Sequence, residues 1–385
     1  MIGRWIWVAV GSFATALAGC GAAAEGDLGD VSFKSDEATS AQGKALVGKL
    51  IFFDTNLSRP AGQSCASCHS PEAGYADPHT DRPVSHGVDG TLVGNRSAPC
   101  AAYAAYSPDF HYDVVAQSYM GGLFWDGRAA NLVEQAKAPF LNPLEMRNPD
   151  RDAVVAQVRS SAYADLFRTA FGKTSLDAVD AAYNAVVEAI AAYERTKEVN
   201  RFTSKYDFYL RGAVSLSDQE LRGLRVFEDS SKGNCSACHP SQPAVDGTPP
   251  LFTDFTYDNL GIPKNLESPF LGLPAQYNPD GRAYIDRGLG DTVKDPSQDG
   301  KFKVPSLRNI ALTAPYGHNG YFKTLKDIVD FYNTRDVKPT WAAPEVPETV
   351  NRDELGNLRL TDGDVADLLA FLATLSDGFV PPDGP

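Results

Sequence analysis

Two segments of the chain carry the same reactive pattern, Cys65-Ala66-Ser67-Cys68-His69 and Cys235-Ser236-Ala237-Cys238-His239. Two thiols at this spacing can form thioether bonds to both vinyl groups of one porphyrin, and the adjoining histidine then meets the iron. Each segment therefore reads as the attachment site of one covalently bound haem c. The group on the other face of each iron decides the chemistry, because a second strong ligand makes an electron carrier and an open position admits a small molecule. Methionine is the usual sixth ligand of a carrier, but the three methionines are Met1, Met120 and Met146, all ahead of the second motif. Unless Met120 or Met146 crosses to it, the second iron needs another ligand or stays open. The histidines outside the motifs are His79, His86, His111 and His318. His86, in the loop after the first motif, is the one best placed to close the first iron.

The elements that must position these groups repeat along the chain. A helical segment precedes each motif, from Gln42 to Phe53 and from Glu220 to Phe227, the second marked by a capping box of Ser217 and Glu220. Both resemble the N-terminal helix of a class I cytochrome c. Each half also supplies a partner helix. The first spans about Leu176 to Lys197, with Val179, Tyr183, Val186, Ile190 and Tyr193 on one face behind Thr174 or Ser175 as cap. The second spans about Asp362 to Leu375, with Val365, Leu368, Leu369, Leu372 and Leu375 on one face and Thr361 with Asp364 as cap. Arg201 to Ser215 reads as a linker with a turn at Gly212, and Pro240 to Pro305, rich in Pro and Gly, reads as ordered loops around the second haem. The expected fold is mainly α, with two class I cytochrome c-like domains, each holding one haem, and long ordered loops.

A chain of 385 residues with 43% hydrophobic and 22% charged residues has a globular composition with room for two such domains. Its net charge of −14 argues against nucleic acid and favours a basic partner such as a small cytochrome. Arg4 followed by Trp5 to Val10 and a run of small residues has the layout of an export signal, and Leu17-Ala18-Gly19-Cys20 matches a lipobox that would leave Cys20 lipidated. The expected locale is the periplasm, with membrane attachment through the lipid anchor only. The expected divisions are a lipoprotein-type signal peptide at 1–20, a flexible tether at 21–39, an N-terminal cytochrome c domain at 40–205 and a C-terminal one at 206–380. Of six cysteines, four go to haem and one to lipid, leaving Cys100 as a free buried thiol.

Further segments carry a specific resemblance: Leu123-Phe124-Trp125-Asp126-Gly127-Arg128, Gln135, Pro139 to Met146, and Phe302-Lys303-Val304-Pro305-Ser306-Leu307-Arg308-Asn309. In these, and over nearly the whole chain from Gly43 to Leu375, the sequence resembles the bacterial dihaem cytochrome c peroxidase family, which includes the MauG enzymes. The resemblance implies that Trp125 lies between the haems and conducts electrons or holes. It also implies that Gln135 and Glu145 line the peroxide pocket, with Glu145 able to move the proton that O–O cleavage requires. Pro139 would crowd the open iron face. The family's distal histidine, where present, falls nearer Val88 than His86, which places this chain on the MauG side. The distal methionine of the peroxidases matches Tyr332, where MauG enzymes carry tyrosine. On the residues alone, Leu325, Ile328, Val329 and Tyr332 share one face of a helix capped by Thr324 and Asp327, so the phenol points inward whether it is a core residue or a ligand. A calcium ion is implied through the carbonyls of Thr313 and Pro315 and a side chain near Ser97, where the usual asparagine is absent and Asn95 is close; His318 would support the same region.

The reading that follows is a peroxidase reducing hydrogen peroxide at the His69 haem, with electrons relayed through the His239 haem from a cytochrome-type donor. A second reading takes Tyr332 as an anionic ligand that suits the His239 haem to oxidising residues of a partner protein, as MauG enzymes do. A third is a plain dihaem electron carrier, which His86 ligation would produce.

Overall fold

Two pairs of crossing helices frame the molecule, and in each pair a glycine sets the crossing. The structure is a computed structural model describing residues 41–382; the expected signal peptide, tether and Cys20 lie outside the described residues. Helix α1 (Ala41–Phe53) buries Val47, Gly48, Ile51 and Phe52 on one stripe. The loop that follows the first motif carries a small hairpin, β1 (His111–Asp113) with β2 (Ser118–Met120), paired antiparallel with Tyr112 opposite Tyr119. Helices α2 (Leu132–Leu141), α3 (Arg151–Ser160), α4 (Ala164–Phe171) and α5 (Val179–Glu194) complete the first half. A Cβ at Gly48 would strike the carbonyl of Ala189, so only glycine lets α1 lie this close to α5. Phe52 and Tyr193 meet edge to face at 5.2 Å in the crossing, both fully buried.

The second half repeats the device. After the short α6 (Lys205–Leu210), α7 (Asp218–Glu228) packs against the last helix of the fold; β3 (Tyr257–Asp258), α8 (Leu289–Val293), β4 (Phe302–Lys303) and α9 (Leu325–Thr334) intervene before that partner, α10 (Asp362–Ala373). Gly223 abuts the carbonyl of Asp367, and Phe227 meets Phe371 at 5.2 Å, again edge to face. The capping boxes expected at Ser217 with Glu220, Thr324 with Asp327 and Thr361 with Asp364 are all formed. Each half has its own apolar cluster, one around α1 and α5 and one around α7 and α10. Burying an aromatic such as Phe167 or Phe371 contributes about 1.5–3 kcal/mol.

Three boundaries differ from expectation. Helix α5 starts at Val179 behind Ala178, which makes no side-chain cap; Thr174 and Ser175 sit in the preceding turns instead. It ends at Glu194 rather than Lys197, because Asn200 folds back and donates to the carbonyls of Glu194 and Thr196. The expected linker contains α6, held by a capping box of Ser204 and Asp207. Asp207 is also gripped by both terminal nitrogens of Arg308, at 3.0 and 2.8 Å, with both side chains fully buried. Six residues are too few to show a helical period, and the partner that orders them is a hundred positions away. The turn at Gly212 is present, with φ of 71°. The stretch 240–305 is loop except for 3-10 turns, the five-residue α8 and the two-residue strands β3 and β4, which pair with each other.

Candidate functional site

Each Cys-x-x-Cys-His segment forms the same tight turn. The His69 amide donates to the Cys65 carbonyl at 2.9 Å, and the His239 amide to the Cys235 carbonyl at 2.9 Å. None of the four cysteines is in a disulfide. Each histidine ring is steadied from behind: Nδ1 of His69 faces the Tyr75 carbonyl at 3.3 Å and Nδ1 of His239 faces the Phe252 carbonyl at 2.7 Å. A ring that donates through Nδ1 keeps Nε2 unprotonated for a metal. Burial lowers the pKa of both imidazoles, which favours the same neutral form.

A cavity of about 340 Å³ runs from the first motif to the second. It is lined by Cys65, Cys68, His69, Trp125, Gln135, Pro139, Glu145, Cys235, His239 and Tyr332, with Phe52, Phe140, Met146 and Ile190 supplying apolar wall at the first end. A smaller space of about 130 Å³ lies at the second motif, where Cys238 joins Cys235, His239, His318, Ile328 and Tyr332. Paired thiols, an anchored imidazole and an apolar slot fit one covalently held haem at each motif. Met146 belongs to the first core and Met120 to β2, so neither methionine lines the space at the second motif.

Further groups lining the cavity at the first motif come from α2 and the turn after it. Asn131 caps α2 by accepting from the Glu134 amide, and Gln135 and Pro139, one turn apart, face the cavity. Glu145 follows; Nδ2 of Asn142 donates to its Oε1 at 2.9 Å. Desolvation raises the pKa of this carboxyl, with Arg128 and the Asn142 bond opposing. The Glu145 carbonyl accepts from the Val88 amide at 2.9 Å. His86 lines the same cavity, half-buried, with Nδ1 at 2.8 Å from the Gly90 carbonyl.

Trp125 lines both spaces. Its indole N–H donates to the Ser97 carbonyl at 2.9 Å, and its own carbonyl accepts from the Lys303 amide at 2.8 Å. The next residue, Asp126, is clamped by Arg96 at 2.7 Å, and Arg96 also holds Asp286 at 2.7 Å. Against the desolvation that would raise it, Arg96 holds Asp286 down to about 2. Tyr332 projects from α9 into both spaces. Desolvation pushes its phenol above the ordinary range, so a phenolate there requires a nearby cation stronger than Arg335.

Ser97, Thr313 and Pro315 also line the large cavity, and the Ser97 hydroxyl donates to the Gly317 carbonyl at 3.0 Å. Asn95 lines the same cavity, and its Nδ2 donates to the Tyr284 hydroxyl at 2.9 Å. Among the described residues no cluster of three or more His, Cys, Asp or Glu side chains is arranged to hold a metal ion. His318 is buried and stacked on Phe302 at 3.6 Å, its ring nitrogens without a protein partner, and burial pushes it down to about 4. Cys100 is a free thiol facing the large cavity, with Sγ 2.8 Å from the Gly74 carbonyl.

Sequence reasoning assigned no role to two charged groups here. Glu194 is buried at the first end with Oε2 unpaired, and desolvation pushes it up to about 8; its only signal is a place one turn beyond Ile190 on the core face of α5. Lys303 is a cavity-lining cation whose Nζ reaches only the Gly122 carbonyl at 2.7 Å and the Ser107 hydroxyl at 3.4 Å, and desolvation lowers it to about 8.

Residues 42–215 match the family model described as di-haem cytochrome c peroxidase. The chain is 41% identical to the methylamine utilization protein MauG of Paracoccus denitrificans over 86% of this chain and 88% of that one. It is 32% identical to cytochrome c551 peroxidase of Pseudomonas aeruginosa over 95% of this chain and 89% of that one. Among solved structures, the diheme peroxidase BthA from Burkholderia thailandensis superposes with a TM-score of 0.78 at 35% identity, covering 87% of this chain and 86% of that one.

Proposed function

The chain belongs to the di-haem cytochrome c peroxidase family, and on that premise we propose that it reduces hydrogen peroxide to water at the His69 end of the cavity. The observation that carries the reading is that His69, Gln135 and Glu145 line one cavity, which also takes in Trp125, His239 and Tyr332. When bound, the two haems would supply the iron at which peroxide is cleaved and the reservoir for two oxidising equivalents. The protein's part is proton traffic and exclusion. Glu145, oriented by Asn142, takes a proton from the inner peroxide oxygen and returns it to the outer one, while Gln135 donates an amide hydrogen bond and Pro139 restricts the space beside them. Trp125, hydrogen-bonded at both indole and backbone, is the electronic link between the two ends. The overall change is H2O2 with two electrons and two protons to two waters, the electrons coming from a small cytochrome c or a similar donor.

A second reading rests on Tyr332. An anionic oxygen ligand donates charge to iron, lowers its reduction potential and stabilises its oxidised forms. A His239 haem so ligated is suited to withdrawing electrons from aromatic residues of a partner protein, and the absence of both methionines from that space supports it. A calcium ion between the halves would use the carbonyls of Thr313 and Pro315 with Ser97; these three residues line the cavity, and neutral oxygens suit a hard cation of modest affinity. The domains proposed are 40–205 and 206–380, behind a cleaved signal at 1–20 and a tether at 21–39, with Cys20 as lipid anchor in the periplasm. No helix among the described residues is long and apolar enough to cross a membrane.

Low-temperature EPR of the oxidised protein, with turnover of reduced cytochrome c by peroxide, tests the proposal. One high-spin and one low-spin haem with rapid turnover supports the peroxidase. Two low-spin haems would mean that His86 closes the first iron and that the chain is a plain carrier. The expected spectrum with negligible cytochrome turnover selects the protein-oxidising reading.

A further inference from the structure

Lys303, the last residue of β4, lines both spaces and carries a charge that the protein does not answer. Its Nζ donates only to the Gly122 carbonyl at 2.7 Å and the Ser107 hydroxyl at 3.4 Å, both neutral. Desolvation lowers the ammonium to about 8, and no neighbouring charge offsets that loss. A desolvated cation held by neutral oxygens alone is costly, and an anion brought to it relieves the cost.

Four carboxylates line the space at the second motif, yet each is turned to other partners. Asn351 Nδ2 donates to Asp258 at 2.6 Å and to Glu354 at 2.7 Å; Asp286 is paired with Arg96 at 2.7 Å; Glu345 accepts from the Asp286 amide at 3.3 Å. Among the described residues lining that space, Lys303 is the only lysine or arginine. His318 lines it as well, 3% exposed, with both ring nitrogens unpartnered and its ring stacked on Phe302, the residue before Lys303. An unanswered ammonium and an orphaned imidazole beside one space fit an acceptor that arrives with the cofactor. A haem attached through Cys235 and Cys238 brings two propionate carboxylates.

We propose that Lys303 is the counter-cation of a propionate on the haem held at the second motif, and that its charge raises the reduction potential of that haem. Reduction adds an electron, so a positive charge close by favours the reduced form. The lysine therefore opposes the four carboxylates and a phenolate at Tyr332, all of which favour the oxidised form. Their balance sets how readily this haem takes electrons from a donor rather than withdrawing them from a protein. The inference stands on haem attachment at the second motif and holds under either enzymatic reading.

The test is a potentiometric titration of the full haem-loaded protein, at a pH where the ammonium is charged, with the two haems separated by their EPR and absorbance spectra. Lys303→Met should shift the reduction equilibrium of the second-motif haem about tenfold toward the oxidised form, a fall of about 59 mV for one electron. Lys303→Arg, which keeps the charge, should stay near the parent. Lys303→Gln repeats the neutral case should the methionine variant not fold. The propionate bending bands in resonance Raman spectra should move in the neutral variants and be largely retained with arginine. Unchanged potential and bands in the neutral variants overturn the inference, as does a shift confined to the His69 haem. An arginine variant that falls as far as the methionine one removes the role of charge. A parent potential that falls with added chloride as far as it does on substitution would show an exchangeable anion in place of the propionate, and would overturn the inference too. Absence of peroxide turnover in the parent would remove the peroxidase reading and leave these potentials as the measure of Lys303.

Discussion

Glu145→Gln isolates the proton step. The amide is nearly isosteric with the carboxyl and its Oε1 can still accept from Asn142 Nδ2, the bond of 2.9 Å that orients the side chain. What disappears is a group able to take and return a proton. Positioned acid–base catalysis contributes about 10²–10⁴-fold, so the rate of reaction with peroxide should fall by that factor, a barrier increase of about 2.7–5.4 kcal/mol at 1.36 kcal/mol per decade. The pH profile carries a second signature. Burial raises the Glu145 pKa, and the shuttle must start ionised to accept the peroxide proton. The parent rate should therefore fall as pH drops through a value above the ordinary carboxylate range, and this limb should vanish in the variant. Stopped-flow absorbance of the haem bands against peroxide concentration gives the bimolecular rate, and the resting spectra of the two proteins serve as a folding control. A variant within about threefold of the parent, or one that keeps the same acid limb, refutes Glu145 as the shuttle. A limb that persists would move attention to Glu194, the other buried carboxyl lining that end.

Tyr332→Phe should abolish the low-spin EPR signal if the phenolate is the distal ligand, and persistence of that signal would show that the tyrosine is a core residue. Arg308→Met should destabilise the fold by about 3–5 kcal/mol in denaturant unfolding, because it leaves Asp207 buried without its cation. Arg308 and the Ser204 bonds depress the Asp207 pKa below its ordinary value against desolvation, so in the parent this stability is present above the unfolded pKa and fades as pH falls through the folded one; the variant should lose that dependence. Gly48→Val should cost at least about 1–3 kcal/mol by overpacking the α1–α5 crossing, measured as a lower thermal midpoint, and wild-type stability would contradict the close approach at Ala189.

Local signals were legible wherever a residue and its partner are close in sequence. The boxes at Ser217, Thr324 and Thr361 need only three residues each, and the core faces of α5 and α10 repeat at helical spacing. The haem motifs are self-contained for the same reason. Groups whose meaning depends on a distant partner were not legible. Lys205 to Leu210 has no period, and its helix is held by Arg308. Arg96 reads as an isolated cation until the fold brings Asp126 and Asp286 to it. Gln135 and Glu145 carried no signal of their own, since a glutamine and a glutamate near a helix are ordinary surface residues; only the family pattern singled them out, and both line the cavity. Glu194 went unnoticed, and Lys303 was named only as part of a family segment with no role of its own, because a glutamate at a helix end and a lysine in an expected loop look solvated until burial is known.

The shared cavity has a consequence for how the protein is made. Its walls are drawn from α1 near one end of the described chain and from Leu368 and Leu372 near the other, so it closes only when both halves are in place. A chain in which the thioether bonds never form must hold about 340 Å³ open or collapse around it. At about 24 cal/mol per Å³ that is of order 8 kcal/mol, comparable with the whole stability of an ordinary domain at 5–15 kcal/mol. Haem attachment would on this account couple to stability, so a chain lacking the thioether bonds should be cleaved more readily than the haem-loaded one, as limited proteolysis of the two would show.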